Sequence, residues 1–230
     1  MSTYSIAVIG GTGPQGMGLA YRLAHAGHEV ILGSRSDERA RLAADEVSAR
    51  LSGGAVAGAT NLEAARKADI ALLAVPYDGH DELVASLSDG LDGKIVISCV
   101  NPLGFDKRGA YGLDVEAGSA AEAAAALLPT SRVVGAFHHL SAVLLIGDAP
   151  LDEDVLVCGD DVEAKGVVIE LAAAVTGRPG VDAGKLRLAR QLEPLTAVLI
   201  SINRVYKTHA GIRVTGLPDH AATASGDGGR

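Results

Sequence analysis

The chain has 230 residues, of which 48% are hydrophobic and 21% charged, a composition typical of a globular protein with a sizeable core and not of a disordered one. Its formal charge of -8, with no run of Lys and Arg, argues against a nucleic-acid surface or an anionic membrane as partner. No segment approaches the roughly 20 apolar residues of a membrane helix, and the first residues lack the features of a secretion signal. We therefore expect a cytoplasmic protein with a small-molecule partner and two buried, free thiols, Cys99 and Cys158.

Short aliphatic runs alternate with helical patterns from the start of the chain to about residue 145. The predicted buried strands are YSIAVIG, HEVILGS, GAVAGAT, ADIALLAVP, GKIVISCV and SRVVGAFHH. The predicted helices, which have apolar spacing near 3.6 residues, are MGLAYRLAHAG, SDERARLAADEVSARL, LEAARKA, HDELVASLSDGL and SAAEAAAALLP. This alternation requires right-handed crossovers and a parallel sheet covered on both faces. The sequence thus predicts an α/β protein whose residues 1–145 form a Rossmann-type, doubly wound domain.

The pattern changes after this region. Residues 146–216 are predicted to form a small C-terminal domain, α/β or mainly helical, with a strand in VLVCGDD and a helix in DVEAKGVVIELAAAVTG. A long helix over residues 186–209 follows, and Pro194 should kink it or split it in two. The tail over residues 217–230 is small, polar and rich in glycine, so we expect it to be disordered.

A glycine-rich turn stands between the first predicted strand and the first predicted helix. In GTGPQG, the residues Gly11, Gly13 and Gly16 fit the pattern G-x-G-x-x-G. Gly11 permits the tight turn, Gly13 lets the backbone approach a pyrophosphate, and Gly16 lets the helix pack closely on the strand. Unpaired N–H groups at the start of the helix would face the phosphates. The pattern favours a dinucleotide site over a merely structural turn.

The end of the second strand distinguishes between the two nicotinamide dinucleotides. An NAD site has a carboxylate there to bind the ribose 2′-hydroxyl, whereas this chain has Ser34 and Arg35, with Arg39 one helical turn further on. A hydroxyl and two guanidinium groups are suited to the 2′-phosphate of NADP. Asp37 and Glu38 leave NAD open as an alternative, although acidic residues at this position also favour the first turn of the next helix. We therefore expect NADP.

Three loops should surround the nicotinamide, because ligands of open parallel sheets bind at the carboxyl ends of the strands where the strand order reverses. These loops are AVPYDGH, SCVNPLG and AFHHLSA. His80 has an alternative reading as a polar residue at a helix start, and at most one of His138 and His139 should face a ligand. No further His, Cys or carboxylate stands at ligand spacing from this pair, so we expect no metal. The candidate apolar and polar contacts are Val75, Pro76, Val100 and Pro102, and Tyr77, His80, Asn101 and His138.

Together these residues resemble the family of NADPH-dependent reductases of coenzyme F420, the F420H2:NADP oxidoreductases. The similarity spans nearly the whole chain and is carried by IGGTGPQG, GHEVILGSR, ADIALLAVP, NPLGFDKRGAYGLDVEAGSAAE, VVGAFHHLSA, VLVCGDD and EPLTAVLISINRVYKTHAG. It implies a Rossmann domain that holds NADP(H), a small C-terminal domain packed on it, and the deazaflavin ring of F420 lying over the nicotinamide between them.

The resemblance also implies individual contacts. The phosphate turn corresponds to Thr12, Gly13, Pro14 and Gln15, although the pair Pro14 and Gln15 departs from the family pattern, so backbone contacts are expected there. The other implied positions are Ser34, Arg35 and Arg39 for the 2′-phosphate, Val75, Pro76, His80 and Ala142 for the nicotinamide and its ribose, and Val100 to Leu103, His138 and part of the C-terminal helix for the deazaflavin.

The implied reaction moves a hydride between C4 of the nicotinamide and C5 of the deazaflavin. It requires no catalytic side chain, since orientation is the main contribution of such an enzyme; His138 is a candidate donor of a hydrogen bond to the carbonyl side of the deazaflavin. One alternative is an NADPH-dependent reductase of a small ketone or imine with Tyr77 or His138 as general acid. Another is an NADP sensor without chemistry.

The C-terminal helix is more apolar than one exposed face allows. Its stripe LTAVLISIN fits either burial within its own domain or a subunit interface. The resemblance favours a homo-oligomer, most simply a dimer.

Overall fold

The structure is a computed structural model that describes residues 2–217. Within these residues the chain forms one eight-stranded sheet and one two-stranded hairpin. The strands are β1 (Ser5–Ile9), β2 (Glu29–Ser34), β3 (Ala57–Thr60), β4 (Ile70–Leu73), β5 (Ile95–Ser98), β6 (Leu103–Asp106), β7 (Gly109–Gly112), β8 (Arg132–Gly135), β9 (Leu156–Gly159) and β10 (Val181–Gly184).

Helices connect most of these strands. They are α1 (Pro14–His25), α2 (Asp37–Ser48), α3 (Asn61–Lys67), α4 (His80–Ser86), α5 (Ser88–Leu91), α6 (Ala120–Leu127), α7 (Ala142–Leu145), α8 (Val162–Thr176) and α9 (Ala189–Tyr206), with a 3-10 turn at Leu186–Leu188. Over the described part of the chain, no helix combines the length and the apolar character needed to cross a bilayer.

The sheet has the order β10-β9-β8-β5-β4-β1-β2-β3. From β3 to β8 all neighbours are parallel. The order reverses between β1 and β4, because β1 pairs with β2 on one side and with β4 on the other. This is the doubly wound Rossmann arrangement, in which ligands bind beyond the carboxyl ends of the strands near that reversal. The predicted fold class and all six predicted strands of the first 145 residues are confirmed.

The strands are aliphatic because the sheet is covered on both faces. Successive residues of β1 alternate between the two core clusters: Ile6 and Val8 pack with one, and Ala7 and Ile9 with the other. Helices α1, α2 and α8 cover the first face, and α3 to α6 with the start of α9 cover the second. The core therefore lies in two layers that hold the carboxyl ends of the strands in fixed positions.

The second part of the chain extends the same sheet. Strand β9 pairs antiparallel with β8, and β10 pairs parallel with β9. The division into domains 1–145 and 146–216 stays a prediction. Except for Leu217, the tail predicted to be disordered lies outside the described residues.

The long C-terminal helix differs in detail from the prediction. Its first three predicted residues form the 3-10 turn, and α9 then runs without a break from Ala189 to Tyr206 with Pro194 inside it. Pro194 removes one backbone N–H from the helix but does not split it. A Cβ built on Gly112 of β7 would lie 2.7 Å from the Cβ of Pro194, so the hairpin packs closely on this part of α9.

Three elements were not predicted from the sequence: the hairpin β6–β7, the short helix α7 and strand β10. The hairpin turn is closed by Asp106, whose Oδ1 accepts hydrogen bonds from the backbone N–H groups of Arg108 and Gly109. Its strands, LGFD and GAYG, contain three glycines and no fully buried residue, so they lack the aliphatic run by which the other strands were found.

Candidate functional site

Two adjoining clefts open at the carboxyl ends of the parallel strands. The first cleft, of about 670 Å³, is lined by Gly10, Thr12, Gly13, Pro14, Gln15, Gly16, Ser34, Arg35, Arg39, Asn61, Ala74, Val75, Pro76, Asp78, Gly79, Leu83, Cys99 and Asn101. The second cleft, of about 680 Å³, is lined by Pro76, Tyr77, Asp78, Gly79, His80, Asp81, Glu82, Asn101, Leu103, Phe105 and Leu113. The two clefts share Pro76, Asp78, Gly79 and Asn101 as a common wall.

The glycine turn after β1 is tightly packed on the side that faces the protein, and its backbone is accessible on the side that faces the cleft. A Cβ built on Gly16 would lie 2.6 Å from the Cα of Gly11, whereas one built on Gly13 would meet nothing within 4 Å. Gly10 has a φ of 66°, and a Cβ there would lie 2.3 Å from Val75 Cγ1. Gly10 is therefore a further required glycine that the G-x-G-x-x-G pattern does not include.

Helix α1 starts beside this bare backbone. Gly13 is its N-cap residue and Pro14 its first residue, and there is no acidic side chain in the first turn. The first N–H groups of a helix have no partner within it, and its N-terminus carries partial positive charge. The turn can therefore receive an anionic group. Gln15, which the sequence places on the phosphates, also donates from Nε2 to the carbonyl oxygen of Phe137 at 3.0 Å.

Positive charge without a partner stands at the end of β2. Ser34 is buried and its Oγ accepts a hydrogen bond from Ser36 N at 3.3 Å, while Arg35 and Arg39 are exposed and line the first cleft. Within residues 2–217, neither of these guanidinium groups forms an ion pair. The cleft thus offers two cations for an anionic ligand group.

The nearby carboxylates are used by α2 itself. Ser36 caps this helix by accepting from the backbone N–H of Arg39, and Asp37 and Glu38 lie in its first turn. Asp37 Oδ2 also pairs with Arg41 at 2.7 Å. The expectation that these acidic residues serve the helix N-terminus agrees with this geometry.

The inner end of the first cleft is mostly apolar. Ala74, Val75 and Pro76 follow β4, and Cys99 follows β5. The Sγ of Cys99 donates to the carbonyl oxygen of Leu73 at 3.0 Å, and burial raises the pKa of this thiol to about 12. The thiol is thus protonated at neutral pH. Both cysteines are free and buried, as expected from the sequence.

Several lining residues were not found by sequence reasoning. Asn61 follows β3 and accepts a hydrogen bond from the Gly10 backbone N–H at 3.0 Å through Oδ1, so it holds the glycine turn in place. Its position directly after a predicted strand was a usable signal, because the carboxyl ends of parallel strands share one edge. The other lining residues that were not named individually from the sequence are Gly10, Ala74, Asp78, Gly79, Leu83 and Cys99 in the first cleft, and Asp81, Glu82, Phe105 and Leu113 in the second. Of these, Ala74, Asp78, Gly79 and Cys99 belong to loops that were predicted to surround the nicotinamide.

The second cleft has one acidic and one apolar wall. Asp81 and Glu82, from the first turn of α4, form the acidic wall. The hairpin supplies Leu103 and Phe105, and Phe105 is 69% exposed. Such an exposed aromatic side chain beside a cleft is suited to cover a flat ring.

Two polar candidates from the sequence lie in this second cleft. The pKa of Tyr77 is raised, first by burial and then by the Asp81 carboxylate, so its hydroxyl stays protonated at neutral pH. His80 is buried, with Nδ1 2.7 Å from Asp81 Oδ1, and its Nε2 has no hydrogen-bond partner among residues 2–217. The sequence assigns His80 to the nicotinamide and ribose, whereas in the structure it lines the second cleft and not the first.

Five predicted site residues line neither cleft in this chain. Within the glycine turn, Gly11 faces the protein interior, because a Cβ built on it would lie 2.5 Å from Leu32 Cδ2. Burial lowers the pKa of His138 to about 3, and His139 adds to the effect. The ring of His138 is thus neutral, and neither of its nitrogens has a partner in the described structure. The ligand contacts of these five residues stay predictions: they are Gly11, Val100, Pro102, His138 and Ala142.

The remaining predicted residues come together at the clefts. Those in the first cleft are Thr12, Gly13, Pro14, Gln15, Gly16, Ser34, Arg35, Arg39, Val75, Pro76 and Asn101. Among the described residues, no three His, Cys, Asp or Glu side chains are grouped so that they could hold a metal ion.

Comparison with known proteins gives a consistent picture. Residues 5–102 match the family model described as NADP oxidoreductase coenzyme F420-dependent. The chain is similar to the F420-dependent NADP reductase of Methanothermobacter marburgensis, with 41% identity over 93% of this chain and 99% of the relative. It is 40% identical to the protein of that name from Methanocaldococcus jannaschii, over 92% of this chain and 98% of the relative. A solved structure from Arthrobacter sp. FB24, provisionally described as an F420-dependent NADP reductase, superimposes with a TM-score of 0.78 at 29% identity, covering 92% and 99% of the two chains.

Proposed function

The chain belongs to the family of F420-dependent NADP reductases, and from this premise we propose that it is an oxidoreductase that transfers a hydride directly between NADP(H) and coenzyme F420. The observation that carries the proposal is the pair of adjoining clefts with a common wall at the carboxyl ends of β4 and β5. Two cofactors that exchange a hydride need two sites whose reactive ends meet, and two clefts with a common wall are suited to that need.

NADP(H) is assigned to the first cleft. The bare backbone at Gly13 and the start of α1 would hold the pyrophosphate, since helix N-termini favour anions. Ser34, Arg35 and Arg39 would hold the 2′-phosphate, because both guanidinium groups lack a carboxylate partner in the described structure. The apolar inner end at Val75 and Pro76 would accommodate the nicotinamide.

The deazaflavin ring is assigned to the second cleft. Phe105, Leu103 and Leu113 form an apolar wall that suits a flat aromatic ring. The carboxylates of Asp81 and Glu82, which also line this cleft, would repel the anionic tail of F420, so the tail should leave the cleft away from α4. Pro76 and Asn101, which line both clefts, would lie where the two rings meet.

The chain contributes orientation more than side-chain chemistry. The hydride passes from C4 of the reduced nicotinamide to C5 of the deazaflavin, and one proton from solvent completes the reduced deazaflavin. Holding two rings face to face at reacting distance can supply roughly 7 to 11 kcal/mol of the barrier. Buried Cys99 and His138 are neutral, and neither is placed as a nucleophile or acid. The reaction therefore requires no catalytic side chain.

We also propose that the protein is a cytoplasmic homodimer. Two free, buried thiols support a reducing compartment. Val198, Val205 and Tyr206 of α9 are exposed apolar side chains that a second subunit would cover. Every residue that lines the two clefts lies between Gly10 and Leu113, which supports residues 1–145 as the NADP-binding domain, with residues 146–216 as the small C-terminal domain.

The test is to mix the protein with NADPH and oxidised F420 and to follow the visible deazaflavin band. Rapid bleaching with stoichiometric loss of NADPH supports the proposal. Tight NADPH binding without bleaching, together with turnover of a small ketone or imine, would support the reductase alternative, and binding without any turnover would support the NADP sensor. The family relationship favours neither alternative.

A further inference from the structure

The turn after β8 holds an unusual backbone conformation. Phe137 has a φ of 63°, and it and Lys207 are the non-glycine residues with positive φ within residues 2–217. The left-handed region is unfavourable for a bulky aromatic residue. Phe137 is also buried, so the surrounding structure must hold this conformation in place.

Hydrogen bonds from three parts of the fold hold the turn. Gln15 of α1 donates to the Phe137 carbonyl oxygen at 3.0 Å. The His138 carbonyl oxygen accepts from Asn101 Nδ2 at 3.0 Å and from Thr196 Oγ1 of α9 at 3.1 Å. The ring of His139 donates from Nε2 to the carbonyl oxygen of a neighbouring α9 residue at 2.7 Å. The turn therefore links the dinucleotide-binding turn, the loop after β5 and α9.

The shared carbonyl oxygen of His138 fixes the orientation of Asn101. Because a carbonyl only accepts hydrogen bonds, the amide nitrogen of Asn101 must face His138 and its Oδ1 must face the other way. Pro102 follows directly, which restricts the Asn101 backbone to extended conformations. Neither the backbone nor the amide group of Asn101 is therefore free to turn.

The Oδ1 atom of Asn101 is buried and has no donor among residues 2–217. A buried acceptor without a partner is unfavourable, and such atoms call for an explanation. Asn101 lines both clefts at their common wall. A ligand N–H at the junction of the clefts would satisfy this oxygen.

We propose that Asn101 Oδ1 accepts a hydrogen bond from an amide-type N–H of the reacting ring pair, and that Thr196 is a positioning residue that holds Asn101 through the His138 carbonyl oxygen. The inference rests on the proposed function. Two rings carry such a donor: the nicotinamide in its carboxamide and the deazaflavin in the imide of its pyrimidine ring. His138 contributes through its backbone, and its ring is a packing group.

The test of Asn101 uses the variant Asn101→Leu, which has a similar shape and no polar atoms. Dissociation constants for NADPH and for F420 are measured separately by fluorescence titration, so that the result does not depend on turnover. The same titration uses the 3-acetylpyridine analogue of NADPH, which lacks the carboxamide N–H. Losing one buried hydrogen bond should raise the relevant dissociation constant about tenfold.

The two donors give different results. If the nicotinamide is the donor, the wild type prefers NADPH over the analogue and Asn101→Leu binds both alike. If the deazaflavin is the donor, Asn101→Leu binds F420 more weakly than the wild type does. The ratio of its affinities for NADPH and for the analogue then equals the wild-type ratio. Unchanged affinities for both cofactors in a folded variant would overturn the role of Asn101. Should Asn101→Leu not fold, Asn101→Ala carries the same expectations.

The test of Thr196 is a set of kinetic measurements on Thr196→Val, which removes the hydroxyl and keeps the shape. We expect kcat to fall about threefold to tenfold for one lost hydrogen bond, and to recover in Thr196→Ser. The KM of the cofactor that Asn101 does not contact should stay unchanged. A lower Tm with wild-type kcat and KM would show a structural role only and would overturn the positioning role. A wild type that binds NADPH but leaves F420 oxidised would instead overturn the proposed function, and the NADPH titrations of Asn101→Leu would still be interpretable.

Discussion

Removing the guanidinium of Arg35 should weaken NADPH binding and leave NADH binding nearly unchanged. Arg35 lines the first cleft at the end of β2 and forms no ion pair in the described part of the chain. Its charge is therefore available to a ligand, and NADH lacks the phosphate that this charge would contact. The change Arg35→Ala removes the charge without opening a cavity, because the side chain is exposed.

The expected magnitude follows from the strength of one hydrogen bond to a charged group, about 1.5 to 3 kcal/mol. Arg35 is exposed, so solvent and salt screen the interaction and the lower figure applies. About 1.5 kcal/mol corresponds to a KM for NADPH raised about tenfold. The effect should shrink further at high ionic strength. Removing Arg39 as well should bring the combined loss to about a hundredfold if the two contacts are independent.

The assay compares KM values for NADPH and NADH at saturating F420 for the wild type, Arg35→Ala and a control. The control is Arg50→Ala, which removes the same charge from a residue that pairs with Glu46 and lines neither cleft. It should leave both KM values unchanged. An equal loss for NADPH and NADH in Arg35→Ala would refute the assignment of the 2′-phosphate site.

Three further predictions concern the glycine turn and a buried carboxyl group. Gly13→Ala should keep the wild-type Tm, because its Cβ would meet nothing within 4 Å. The variant should nevertheless bind NADPH more weakly in titrations, and an unchanged affinity would contradict binding of the pyrophosphate at this backbone. Gly16→Ala should lower the free energy of unfolding by about 1 to 3 kcal/mol, because its Cβ would lie 2.6 Å from the Gly11 Cα, and urea unfolding measures this loss. Burial raises the pKa of Glu153 to about 7, so the folded protein keeps a proton on this group that the unfolded chain loses, and the contribution of Glu153 to stability should fall by about 3 kcal/mol as the pH rises from about 4.5 to 7. Relative to the wild type, the Tm of Glu153→Gln should therefore rise as the pH increases from about 4.5 to 7, and a Tm difference that does not change with pH would contradict this role of Glu153.

The elements that could be predicted are those in which neighbouring residues carry the signal. The strands around β1 and β4 are continuous aliphatic runs because both faces of the sheet are covered. The glycine pattern and Ser34 and Arg35 each lie within a few residues of a strand end, so their position in the fold followed directly from the strands.

The junction between the clefts could not be predicted in this way, because it is built from residues distant in sequence. Gln15 and Phe137 are 122 residues apart, and Thr196 lies 58 residues from His138. The sequence singled out the His138 ring as a polar group near a strand end. In the fold the left-handed turn buries that ring and leaves the His138 carbonyl oxygen to bind Asn101.

The hairpin shows a second limit. Its residues carry little aliphatic signal, and its wall for the second cleft depends on packing against Pro194 of α9, more than 80 residues later. The sequence predicts an effect of Pro194 on its own helix only, whereas in the fold the Pro194 ring is a surface on which Gly112 packs. Long-range packing of this kind determines the shape of the second cleft.

Direct hydride transfer between the two cofactors is the central claim, and isotope transfer tests it most directly. NADPH with deuterium at both C4 positions is mixed with the protein and oxidised F420 in ordinary water, and the reduced F420 is analysed by mass spectrometry and NMR. Direct transfer predicts one deuterium at C5 of each reduced F420. Reduced F420 without deuterium at C5, or no reduction at all, would contradict the claim.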